Sequence, residues 1–272
     1  MRSQAEKAAA FRALHGRPGA FIIPNPWEAG TAKVLAALGF EALATTSSGL
    51  AQMLGQAVGV TRAQVIENCR VIAAATDLPV NADLENGFAH EPEAAAEAIR
   101  LAAEAGAVGA SIEDYTGDRK NPIYDFDFSV ARVRAAVKVA HALPVPIVLT
   151  ARAENLIHDR MDMADTIRRL QAYEAAGADV VYAPGLRTLP EVREVVRSVK
   201  RPVNVVTGWL DPDITLAQLS EAGAKRVSVG GALARHALAT FVKASRAMHD
   251  HGSFAFMRDM IPMAEVRKLL GS

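Results

Sequence analysis

Short apolar runs alternate with longer stretches of helical spacing from one end of the chain to the other. Eight such runs can be counted, at residues 20–23, 42–46, 80–83, 108–112, 147–151, 180–182, 203–206 and 226–229. Each is followed by a stretch in which apolar residues recur every three or four positions, as over 91–105 and 162–176. That period is the signature of an amphipathic helix, and strands alternating with helices in this way predict a parallel sheet.

The punctuation between elements repeats as well. Leu38-Gly39-Phe40, Ala105-Gly106-Ala107, Gly177-Ala178 and Ala222-Gly223-Ala224 precede the even-numbered runs, where glycine closes a helix in the left-handed conformation. Leu78-Pro79-Val80, Val145-Pro146-Ile147 and Arg201-Pro202-Val203 precede odd-numbered ones, where proline stops a helix and opens a strand. Eight units with this two-unit alternation predict a closed (β/α)8 TIM barrel, an α/β fold, rather than an open doubly wound sheet. No Pro/Gly/Ser-rich linker divides the chain, so residues 1–272 read as one barrel domain. Beyond an eighth helix at 232–249, the segment 253–272 carries Phe254, Phe256, Met257, Met260, Ile261 and Met263. It is too apolar for a free tail and is expected to pack as a helical segment on a partner subunit, or else on its own barrel.

Composition narrows the classes further. At 272 residues and 50% apolar, the chain buries a large core without disulfides or metals to staple it. Thirty basic against thirty acidic residues leave no net charge, which argues against a nucleic-acid or membrane partner. The single cysteine, Cys69, falls in the helical pattern 64–75 and can form neither an internal disulfide nor a cysteine-based zinc site. The first sixteen residues form a polar, alanine-rich pattern without an apolar run long enough for a signal peptide. A cytoplasmic location is expected.

A barrel of this kind places its chemistry at the carboxyl ends of the strands. The second run leads into Ser47-Ser48-Gly49-Leu50, the third into Asp83-Leu84-Glu85-Asn86-Gly87, the fourth into Glu113-Asp114 and the fifth into Arg152-Ala153-Glu154-Asn155. Asp83 and Glu85, two apart, share a strand face, and Glu113 joins them from the neighbouring strand. Carboxylates gathered at one mouth repel unless protons or a cation neutralise them. The alternative is that they cap helices or pair with Arg152. Oxygen donors without cysteine or a spaced histidine pair favour Mg2+, or Mn2+, over zinc. Gly230-Gly231 before the eighth helix suits an anion, or simply a tight turn. His90, His158 and His236 read as surface histidines.

Taken together, Ser48-Gly49-Leu50, Asp83-x-Glu85-x-Gly87, Ile112-Glu113-Asp114 and Thr150-Ala151-Arg152 resemble the isocitrate lyase and phosphoenolpyruvate mutase superfamily, in order and spacing, over about residues 21–234. The resemblance implies a Mg2+-dependent barrel acting on small α-oxo or 2-hydroxy acids, breaking or making C–C or P–C bonds. It also implies a homotetramer in which the last barrel helix is exchanged between subunits. By position, Asp83 would bind the metal directly, while Glu85 and Glu113 would hold its waters. Ser48, Gly49 and Leu50 would bind the substrate carboxylate, and Arg152, with Glu113 a catalytic candidate, would grip an oxyanion. A gating loop would span 115–124, with Asn121 a further substrate contact and Arg119 or Lys120 its cationic partner.

Departures from the family pattern choose among its branches. The loop has no cysteine or histidine in place of the Lys-Lys-Cys-Gly-His motif of isocitrate and methylisocitrate lyases, and Ala183-Pro184-Gly185 stands where they carry a glutamate. Thr46 replaces the usual aromatic before the serine. Tyr115 and Val58 replace the lysine and loop aspartate of phosphonate enzymes. What remains is the part that stabilises a pyruvate-like enolate. The favoured expectation is a metal-dependent C–C lyase or decarboxylase of a small (di)carboxylic acid. The alternatives are a P–C enzyme, either phosphonopyruvate hydrolase or mutase-like, a metabolite-binding pseudoenzyme, and an unrelated phosphate-binding barrel.

Overall fold

The computed structural model describes residues 2–57 and 59–271. Helix α1 (Gln4–Gly16) opens on a capping box: the Ser3 hydroxyl accepts the Glu6 N–H while the Glu6 carboxylate accepts from the Ser3 N–H. Then follow β1 (Phe21–Ile23), α2 (Ala29–Ala37), β2 (Leu43–Ala44), α3 (Ser47–Met53), α4 (Arg62–Ala74), β3 (Val80–Asp83), α5 (Pro92–Glu104), β4 (Gly109–Glu113) and α6 (Phe126–Ala142). The second half runs β5 (Val148–Arg152), α7 (Met163–Ala175), β6 (Val180–Tyr182), α8 (Leu189–Ser198), β7 (Val203–Val206), α9 (Leu216–Glu221), β8 (Arg226–Ser228), α10 (Ala232–His251) and α11 (Met263–Leu270).

All paired strands are parallel, in the order β1-β8-β7-β6-β5-β4-β3-β2. The Ala44 N–H donates to the Pro24 carbonyl at 3.1 Å, bringing β2 beside β1 and rounding the sheet into the expected (β/α)8 barrel. The glycines expected to end helices do so in left-handed conformations: φ is +90° at Gly39, +97° at Gly106, +105° at Gly177 and +93° at Gly223. Strand β2 is shorter than its apolar run because Thr46 leaves the strand to cap α3, its Oγ1 accepting the Gly49 N–H at 3.2 Å.

Alternation along the strands divides the core in two. Ala110, Ile112, Leu149, Ala151, Val181, Val203, Val205 and Val227 turn outward into the layer shared with the helices. Inside, an apolar floor forms where Phe11 and Leu14 of α1 plug the barrel against Phe21, Ile23, Ala44, Val148 and Val180. Gly109 makes that plug possible, since a Cβ there would stand 2.5 Å from the Phe11 ring and 2.7 Å from the Asn81 amide oxygen. Above the floor the buried interior turns polar, with Asn81, Ser111, Thr150, Asn204, Arg226 and Ser228.

The last elements behave differently. Helix α10 packs against α3 and buries only Ala234, leaving Leu238, Phe241 and Met248 exposed. Helix α11 rests on α2 of the same chain, while Phe254, Met257, Met260, Ile261 and Met263 remain exposed around it.

Candidate active site

A cavity of about 840 Å³ opens at the carboxyl ends of the strands. Its centre is Arg152 at the end of β5, which holds three carboxylates with one planar group. Nη1 lies 3.0 Å from Asp83 Oδ1, Nη2 3.1 Å from Glu113 Oε2 and Nε 2.8 Å from Glu154 Oε1. The Tyr182 ring lies beneath the guanidinium, 4.9 Å from it. Sheet register sets this arrangement. Glu113, Arg152, Tyr182, Asn204 and Arg226 pair across neighbouring strands in one continuous row.

The supporting shell is local. Asp83 is fixed from both sides: its N–H donates to Thr45 Oγ1 at 2.9 Å, and its Oδ2 accepts the Ser47 N–H at 3.0 Å. Beyond it the chain turns sharply through left-handed residues Glu85, Gly87 and Phe88, at φ +46°, +77° and +58°. Such backbone persists only where the surroundings enforce it and is concentrated at functional sites. Asp114, buried behind the mouth, accepts the Glu154 N–H (2.8 Å), Arg169 Nη1 (3.1 Å) and the Tyr173 hydroxyl (2.6 Å). It thereby ties the end of β4 to the end of β5.

Burial dominates the electrostatics. It pushes the Glu85 carboxyl above its ordinary range, with Asp83 adding to the shift, and raises Glu113 strongly despite the opposing pull of Arg152. Glu154 is pushed up to about 7, again by burial. Burial works against the charge on Arg152, but Glu154, Glu113 and Asp83 more than restore it.

These donors can be tested against the hard cation that the motif set implies. Among the described residues no three His, Cys, Asp or Glu side chains converge to ligate one ion by themselves. What fits Mg2+ is the donor type: Asp83, Glu85 and Glu113 offer carboxylate oxygens on the cavity wall, and that ion is ordinarily bound by one or two carboxylates with water filling the other positions. Acids that retain protons because they are crowded and buried are also the groups a divalent charge would relieve.

Ser48, Asp83, Glu85, Glu113 and Arg152 all line the cavity. Gly49 and Leu50 are instead buried within α3, where their N–H groups donate to Thr46 Oγ1 and the Thr46 carbonyl. Asn121 is exposed and its carbonyl accepts from Thr116; of the loop residues, Tyr115, Gly117 and Arg119 reach the cavity wall. Val58 lies outside the described residues. The glycines before α10 are used locally: the Val229 and Gly230 N–H groups donate to Asn25 Oδ1, and Gly231 lets Ser48 approach. His90 packs on Tyr124 and Phe128 and His236 is exposed, but His158 enters the cavity wall. It stacks on Tyr115 at 4.0 Å, and its Nε2 is 3.9 Å from Glu154 Oε2. Sequence reasoning missed Tyr182, Asn204 and Arg226 as wall residues. The available signal was their period-two placement on the inward face of three successive strands.

The sequence matches the phosphoenolpyruvate phosphomutase family over residues 11–249. A solved structure from Burkholderia cenocepacia J2315, of a protein provisionally assigned as a lyase/mutase, superposes with a TM-score of 0.96 at 54% identity, covering 99% of this chain and 97% of that one. A second structure from that organism, provisionally a phosphonomutase, gives a TM-score of 0.82 at 35% identity, with 90% and 99% covered. The 2-methylisocitrate lyase of Halalkalibacterium halodurans is 28% identical over 266 residues, 93% of this chain and 85% of its own.

Proposed function

The chain belongs to the phosphoenolpyruvate phosphomutase family, and from that premise we propose that it is a Mg2+-dependent lyase or decarboxylase that cleaves a C–C bond of a small α-oxo or 2-hydroxy (di)carboxylic acid. The observation that carries this reading is the cluster of Asp83, Glu113 and Glu154 around Arg152 at the barrel mouth. Asp83 would hold the ion directly, with Glu85 and Glu113 on its waters; when bound, it supplies positive charge beside the acid's carboxylate and C2 oxygen. Arg152 presents a planar pair of donors to the oxygen on which negative charge develops. Ser48 offers its hydroxyl to the carboxylate from the start of α3. Glu154, whose carboxyl burial pushes up to about 7 and which lies 3.9 Å from His158, is the group suited to returning a proton to the product carbon. Tyr115, stacked on His158, leads this pair toward the loop 115–124. That loop carries no cysteine or histidine to protonate a carbon leaving group, which favours loss of CO₂ over retro-aldol cleavage.

A P–C bond enzyme is the second reading, favoured by the likeness to a phosphonomutase. The exposed apolar residues of α10 support exchange of that helix within a homotetramer. Asp83→Ala tests the metal assignment. Wild-type turnover of oxaloacetate should vanish with chelator and return with Mg2+, and the variant should stay inactive at any Mg2+ concentration with an unchanged circular dichroism spectrum. Full activity in the variant would overturn the assignment.

A further inference from the structure

Below Arg152 the barrel holds a second guanidinium that the chemistry above leaves without a task. Arg226 of β8 is 3% exposed and lines the same cavity. Its Nε donates to Asn204 Oδ1 at 2.7 Å and its Nη2 to Thr150 Oγ1 at 2.9 Å. Asn204 is oriented in turn by donating to Ser228 Oγ at 3.1 Å. Among the described residues, Nη1 has no partner and no carboxylate pairs with the side chain. The ionisable groups that act on it are Tyr182, Arg152 and, from α1 below, His15, and none of them supplies a carboxylate; Arg152 repels it. Burial lowers its pKa to about 10, which still leaves it charged at neutral pH.

A lone buried cation is costly, and an apolar side chain of similar size would ordinarily serve the fold as well or better. Two of the three guanidinium nitrogens are held by neutral partners. This fixes the plane of the group while its charge remains uncompensated. Its bond to Thr150, two residues before Arg152 on the same inward face of β5, sets it one layer below Arg152, so one cavity has a cation at its mouth and another at its base. A ligand carrying an anionic group at each end matches that pattern.

We infer that Arg226 forms the base of the substrate site and binds a second carboxylate of the acid, which makes the substrate a dicarboxylic acid. This rests on the lyase reading for the first carboxylate, at the mouth; the charge requirement at the base stands on Arg226 itself. Ser228 and Ser111, which share the wall, add hydroxyl donors at that depth.

The test compares wild type with Arg226→Met and Arg226→Lys by calorimetric titration with Mg2+ present, using lactate and malate, which differ by one terminal carboxylate. Wild type should bind malate at least tenfold more tightly than lactate. Arg226→Met should lose that preference to within twofold while binding lactate as wild type does, and Arg226→Lys should fall between. In thermal unfolding without ligand, Arg226→Met should be at least as stable as wild type. A variant that keeps the malate preference, weakens both acids equally or unfolds at much lower temperature overturns the inference, as does protection of wild type by bromide equal to that by malate. If neither acid binds wild type, the lyase reading fails separately. Arg226 is then judged by Mg2+-free succinate: protection against unfolding in wild type alone upholds a carboxylate site, and no protection overturns it.

Discussion

Arg152 can hold three carboxylates only because a guanidinium is planar and carries five donors. Arg152→Lys keeps the charge but loses the fork. With hydrogen bonds to charged groups each contributing about 1.5–3 kcal/mol, the variant should bind oxalate more than about tenfold more weakly in a calorimetric titration; unchanged affinity would remove Arg152 from the oxyanion site. His15 gives a second prediction at this scale. Its ring is wedged edge-on between Phe11 and Phe21, and burial lowers its pKa from 6.5 to about 3. The unfolded chain therefore takes up a proton near pH 6.5 that the folded chain refuses until about pH 3. Stability is lost as the pH falls through this window, by at most about 1.4 kcal/mol per pH unit. Urea denaturation should show His15→Phe gaining on wild type between pH 6.5 and 4, whereas a constant difference would assign the acid sensitivity elsewhere. Asp83, Glu85, Glu113 and Arg152 were legible in the sequence because acids and arginine directly after apolar runs stand out. Tyr182, Asn204 and Arg226 were passed over because they lie inside short strands rather than after them, where only the alternation of each strand marks them as inward-facing. Asn121 was placed by its position in the loop, and the path of the loop turns it to solvent.

At the scale of elements, proline and glycine punctuation located nearly every strand, since both residues act through backbone geometry that tertiary packing rarely overrides. The run at 42–46 was over-read because Thr45 and Thr46 continue a strand-like pattern while serving the site: one hydroxyl holds the Asp83 N–H and the other caps α3. The plug formed by α1 could not be read from its amphipathic pattern, which tells that one face is buried but not against what. Gly109→Ala tests the plug. The added methyl would collide with Phe11, and overpacking of this kind costs about 1–3 kcal/mol. The midpoint in urea should fall accordingly, and an unchanged midpoint would show that α1 is not seated in the barrel base. Helix α10 supplies the other prediction. With Leu238, Phe241 and Met248 exposed along it, the proposed tetramer predicts that wild type scatters light as a tetramer and Phe241→Asp as a smaller species; a wild-type monomer would contradict the exchanged-helix proposal.

At the scale of the molecule, a barrel with no net charge places a polar interior over an apolar floor and opens it in one cavity whose mouth holds acids around Arg152 and whose base holds Arg226. The fold followed from pattern alone because eight repeats of one unit leave few other solutions. The chemistry followed only in outline, because the path of the loop 115–124 and the inward residues beneath the mouth are fixed only once the barrel closes. The most direct test of C–C cleavage is product analysis with purified protein, with and without Mg2+, on oxaloacetate, 2-methylmalate, methylisocitrate and phosphonopyruvate. The account predicts pyruvate without phosphate from at least one C–C substrate, abolished by chelator. Phosphate released from phosphonopyruvate, or no turnover of any of the four acids, would contradict it.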